Sequence, residues 1–108
     1  DSFVSKMFLE LYKSSDENEV LYGIHNLLQR SMTLLLYGPE FEDSSTQFLN
    51  MARTLHENYQ IKMKKFSEGR QIPTFKRILN ASRKNFEQRF PQYKEQLQKM
   101  IDSQKWLN

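Results

Sequence analysis

The two histidines, His25 and His56, are the first side chains to consider for catalysis or metal binding. Imidazole titrates near neutral pH and ligates metal ions. Neither histidine belongs to an H-E-x-x-H pattern, because His56 and Glu57 are followed by Asn58 and Tyr59 without a second histidine four residues on. The sequence has no cysteine, which excludes thiolate metal sites and disulfides. We therefore expect no enzymatic activity, no metal and no cofactor.

Two further patterns lack the spacing that chemistry requires. The three glycines are too far apart to form a phosphate-binding loop. The acids Glu40, Glu42 and Asp43 lie close together but lack the alternating ligands and the glycine of a calcium loop. We expect these acids in a loop, where their charge favours the N-terminus of the helix that follows.

Basic residues give the strongest signal for binding. Residues 1–54 have a net charge of −4, whereas residues 55–108 have a net charge of +7. Such a field attracts an acidic protein, a nucleic acid or a membrane surface. The alternatives are a solvated helix face and a face that pairs with the acidic half. The candidate binding residues are Lys62, Lys64, Lys65, Arg70, Lys76, Arg77, Arg83 and Lys84.

A second signal comes from apolar residues that lie outside the main apolar stripe of their predicted helices. These residues are Leu9, Leu36, Ile61 and Trp106. Tryptophan is enriched at binding hot spots. We predict that these four side chains contact a partner protein, although each one singly is also compatible with ordinary surface.

The elements that must position these residues are predicted to be helices, because apolar residues recur at gaps of three and four. The sequence contains no convincing strand. The predicted helices cover residues 3–13, 17–37, 47–67, 73–90 and 92–107.

Several residues predict where these helices begin and end. Asp16 and Glu19 fit a capping box before the second helix, and Gly38, in a left-handed conformation, ends it. One of the hydroxyl residues 44–46 is expected to cap the third helix. Pro73 fits the first position of the fourth helix. Pro91 either bends a continuous helix or separates the fourth helix from the fifth.

The expected fold is a single all-α domain over residues 1–108, built as a four- to five-helix bundle. The alternative is a short stack of helical hairpins like those in HEAT or armadillo repeats, although no repeat is visible. The small residue Ser31, in the middle of the second helix's apolar face, predicts a close approach of another helix. Because residue 1 is Asp, we expect a piece of a longer protein.

Two functions remain open from the sequence. The first is a non-catalytic protein–protein interaction domain, or a subunit fragment of a larger complex, that binds another protein, a helical peptide or a second copy of itself. The second is a nucleic-acid-binding domain that uses the basic half. No apolar run reaches the ~20 residues of a membrane span. We expect an intracellular location, with nucleus and cytoplasm both open.

Overall fold

The computed structural model describes residues 2–63 and 72–104, and five α-helices account for most of them. They are α1 (Ser2–Lys13), α2 (Glu17–Leu34), α3 (Glu42–Met63), α4 (Phe75–Arg89) and α5 (Lys94–Asp102). Short 3-10 turns at Leu35–Tyr37, Pro39–Phe41 and Pro91–Tyr93 join several of them. No strand occurs in these two ranges, so the all-α prediction is confirmed.

Helix α2 lies at the centre and contacts α1, α3 and α4. The five helices form a compact bundle around this central helix. The core residues Ile24, Leu28, Leu55 and Leu97 are completely buried. Burial of each such side chain contributes about 1.5–3 kcal/mol.

Two buried serines hold α2 against α3. The Ser31 hydroxyl donates to the Ser45 carbonyl, and the Ser45 hydroxyl donates to the Ser31 carbonyl, each over 2.6 Å. Met100 Sδ of α5 lies 2.9 Å from Ser45 Oγ. The close approach predicted at Ser31 is therefore confirmed.

Helix α3 begins at Glu42, five residues earlier than predicted, so the expectation that residues 44–46 cap it is wrong. Gly38 turns the chain with φ 131° and ψ 168°, a positive φ outside the left-handed helical region expected for it. A 3-10 turn from Pro39 then leads directly into the helix. The acids Glu42 and Asp43 lie in the first turn of α3, where the helix dipole favours negative charge.

The start of α2 matches one half of the predicted capping box. The Asp16 carboxylate accepts hydrogen bonds from the backbone amides of Asn18 and Glu19 at 3.0 and 3.4 Å. The Glu19 carboxylate instead accepts from the Ser14 hydroxyl, and Ser14 Oγ accepts from the Asp16 amide. Ser14, two residues before the cap, thus replaces Glu19 as the acceptor for the Asp16 amide.

Helix α4 is capped by Thr74, whose hydroxyl accepts from the Arg77 amide, so Pro73 precedes the helix instead of opening it. Pro91 separates two helices and does not lie within one bent helix. Helix α4 ends at Arg89, and Pro91 begins a 3-10 turn that leads into α5. Among the described residues, no helix is both long enough and apolar enough to traverse a bilayer.

Candidate interaction groove

The predicted apolar contact residues differ in their surroundings. Leu9 is 54% exposed and Ile61 is 70% exposed, so both present their side chains to solvent as expected. Leu36 is half-buried and packs against the core, because the 3-10 turn after α2 directs it inward. Trp106 lies outside the described residues.

The predicted basic residues are also divided. Lys76, Arg77 and Lys84 are exposed on the outward face of α4, around a shallow depression that Asn80 also lines. Arg83 is half-buried, and its Nε lies 2.9 Å from Glu87 Oε1 in an ion pair. Lys64, Lys65 and Arg70 lie outside the described residues.

Lys62 is engaged within the chain. Its ammonium group donates to the carbonyl oxygens of Tyr12 and Ser14 at the end of α1. The Asn58 side chain donates to the same Tyr12 carbonyl over 2.7 Å. The ammonium also lies 6.0 Å from the centre of the Tyr12 ring. This lysine therefore holds α1 against α3, and its charge satisfies carbonyls at a helix C-terminus.

A groove of about 490 Å³ runs between α2 and α4. Its apolar lining consists of Met32 and Leu36 from the α2 side and Phe86 and Phe90 from the α4 side. Phe86 and Phe90 pack with ring centres 5.2 Å apart. This volume lies within the range of ligand-binding clefts, although six of the ten lining residues are polar.

Polar side chains form the rest of the groove. Gln29 and Thr33 lie on α2, opposite Ser82 and Asn85 on α4. Thr33 and Ser82 have short side chains, which leave space where two leucines would close the contact between the helices. Thr33 donates its hydroxyl to the Gln29 carbonyl within α2. The groove is therefore a gap in helix packing with both apolar and hydrogen-bonding surface.

Among the described residues that line the groove, Arg89 is the one with a formal charge. His25 lies at the α2 side and Arg89 at the α4 side, and no carboxylate occurs among the described residues that line the groove. The Arg89 guanidinium lies 5.4 Å from the centre of the Phe90 ring, which places a cation beside the apolar lining. Helix α4 as a whole contains five basic residues and one acid, for a net charge of +4.

The two histidines differ in their surroundings. His56 is only 2% exposed, and its Nε2–H donates to the Pro73 carbonyl over 2.8 Å. Burial lowers the pKa of His56, while the bond to Pro73 and the neighbouring Glu57 act in the opposite direction. His25 is exposed and lines the groove. No cluster of three or more metal-ligating side chains occurs in the described part of the chain.

Sequence reasoning missed Arg89, the burial of His56 and the exposure of Tyr22. Tyr22 is 71% exposed and lies one turn before His25 on α2. Arg89 was detectable as the last basic residue before Pro91, but its place beside Phe90 depends on how α4 ends. His56 was detectable from its spacing to Ala52 and Tyr59, which are buried on the same helix face.

The chain was compared with protein-family models, curated proteins and solved structures, and none of them matches it.

Proposed function

We propose that this chain is a non-catalytic, helical protein–protein interaction domain whose partner binds in the groove between α2 and α4. The observation that supports this proposal is the groove itself, with four apolar side chains surrounded by polar ones. Binding surfaces commonly combine an apolar centre with a polar rim. Helices that dock in grooves insert apolar side chains at helical spacing into such a centre.

The dimensions of the groove suit a helical segment. The α2 side extends from His25 to Leu36, which corresponds to about 16 Å along a helix axis. A bound helix of about three turns covers that length. Its affinity would come mainly from one or two apolar side chains that contact the half-buried Leu36 and Phe90.

Selection of helix-forming peptides on the immobilised domain, followed by a matched pair of variants, tests the proposal. Asn85 and Asn80 are both exposed asparagines on α4, but only Asn85 lines the groove. Selected peptides are expected to lose binding to Asn85→Trp and to retain it with Asn80→Trp. If no selected peptide distinguishes these variants, the groove is not the binding site.

A second candidate function is binding of nucleic acid by the outward face of α4. Lys76, Arg77 and Lys84 support it, because all three are exposed and have no ion-pair partner in the described residues. Phosphate binding by such a face gives a log–log salt slope of about −0.9 for each duplex phosphate that is neutralised. An anisotropy titration with duplex DNA tests it, and absence of binding at low salt rejects it.

One double variant distinguishes peptide binding in the groove from nucleic-acid binding by the outward face of α4. Lys76→Glu combined with Lys84→Glu is expected to abolish nucleic-acid binding. The same double variant is expected to leave peptides in the groove bound, with an affinity reduced only by the longer-range change in charge.

A further inference from the structure

The chemistry of the groove identifies the kind of segment that fills it. Arg89 is exposed in the last turn of α4 and has no ion-pair partner among the described residues. Arg83, two turns earlier on the same helix, differs because Glu87 neutralises it at 2.9 Å. Arg89 is therefore a cation whose charge remains available to a ligand.

The surroundings of Arg89 favour a carboxylate over a neutral polar group. A guanidinium binds carboxylates through two parallel hydrogen bonds, which are stronger than bonds between neutral groups. The Phe90 ring, 5.4 Å from the guanidinium, shields one side of this cation from water, which strengthens its electrostatic interactions. His25 contributes a further donor on the opposite helix.

Geometry fixes where the carboxylate must lie on the bound segment. Phe86 and Arg89 are three residues apart on α4, so they lie one helical turn from each other. A helix lying along the groove that places an apolar side chain against Phe86 brings the position one turn away to Arg89. The two side chains of the ligand are therefore three or four residues apart.

We infer that the groove between α2 and α4 binds an acidic amphipathic helix of a partner protein, with an apolar side chain against the edge of Phe86 and the half-buried Phe90, and an Asp or Glu one turn away paired with Arg89. This inference rests on the proposed function. It adds the charge and the spacing of the ligand. The basic outward face of α4 adds a positive field that attracts the same ligand.

The peptides selected on the domain serve as the probe, and two arginine variants measure the role of charge. Peptides of about 12 residues that bind the groove are expected to carry Asp or Glu three or four residues from a large apolar residue. Arg89→Gln is expected to weaken their binding about tenfold or more. Arg77→Gln removes the same charge from the exposed outward face and is expected to weaken binding by less than about threefold.

A charge exchange completes the experiment. A peptide in which Lys replaces the acid should not bind the wild type. The same peptide should bind the Arg89→Glu variant. The inference fails if groove-dependent peptides lack the acid, or if Arg89→Gln and Arg77→Gln have equal effects, while the proposed function then survives. If no selected peptide loses binding to Asn85→Trp, the proposed function is wrong, and the inference is wrong with it.

Discussion

His56 is a buried titratable side chain in a helical core. It lies on α3 and faces the segment that precedes α4, with the ring centres of Tyr59 and Phe75 at 6.0 and 5.7 Å. Its Nε2–H bond to Pro73 connects those two elements. Desolvation disfavours the charged imidazolium and lowers the pKa of His56 in the folded state.

We predict that the free energy of unfolding falls as the pH decreases through the unfolded-state pKa of His56. The unfolded chain binds a proton there before the folded chain does, so protonation favours unfolding. The stability is complete above the unfolded pKa of about 6.5 and is lost toward the lower folded pKa. The size of the loss is about 1.4 kcal/mol for each unit by which the pKa is lowered.

Urea unfolding at about pH 7.5 and about pH 5.5 measures this effect. His56→Gln should reduce the pH dependence, whereas His25→Gln should keep it, since His25 is exposed. An identical pH dependence in the wild type and in His56→Gln would contradict the assignment.

The serine pair between α2 and α3 gives a second prediction for single residues. Ser45→Ala removes the hydroxyl that donates to the Ser31 carbonyl and leaves the remaining groups buried. We expect a loss of about 1–2 kcal/mol in the free energy of unfolding, measured with urea. The combined variant Ser31→Ala/Ser45→Ala should cost less than the sum of the two single variants. Ser15→Ala, at an exposed serine, is the control and should change little.

At the level of the helices, Lys62 makes two of the polar contacts that hold α1 against α3. Lys62→Met is expected to weaken the attachment of α1 by about 1 kcal/mol, because two carbonyls at the helix end lose a charged donor. Amide hydrogen exchange in α1 should therefore accelerate while exchange in the centre of α2 stays slow. Lys76→Met removes an equal charge from an exposed position and should leave α1 unchanged.

The positions of the helices were largely predictable, because their signals are local. Apolar residues recur at gaps of three and four residues, and this pattern depends only on neighbours in the sequence. The same holds for the Asp16 cap and for the turn of the chain at Gly38. The start of α3 was not predictable in this way. Ser45 has the chemistry of a cap, but its hydroxyl bonds to Ser31 instead, and that choice depends on the contact between two helices.

For the molecule as a whole, local sequence patterns predict the exposure of some candidate binding residues, but the groove depends on contacts between helices. The exposure of Leu9 and Ile61 follows from helical periodicity, so the sequence predicted it. The groove is lined by short side chains from two helices, Thr33 on α2 and Ser82 on α4, and no spacing within either helix reveals that they face the same gap. Likewise, the charge of Lys62 was evident in the sequence, but its use at the end of α1 depends on tertiary packing.

The fold places much of the positive charge beside the groove. The net charge of +3 is small, but α4 alone carries +4 and lies beside a groove whose described lining contains no acid. An acidic ligand is thus attracted toward the same helix that lines its binding site.

The most direct measurement is a titration of the isotopically labelled domain with a selected acidic peptide, followed by amide chemical shifts. We predict that the largest shifts occur at residues 25–36 and 82–90, on the two sides of the groove, with small shifts around Leu9 and Ile61. Largest shifts around Leu9 and Ile61, or shifts confined to Lys76, Arg77 and Lys84, would contradict binding in the groove.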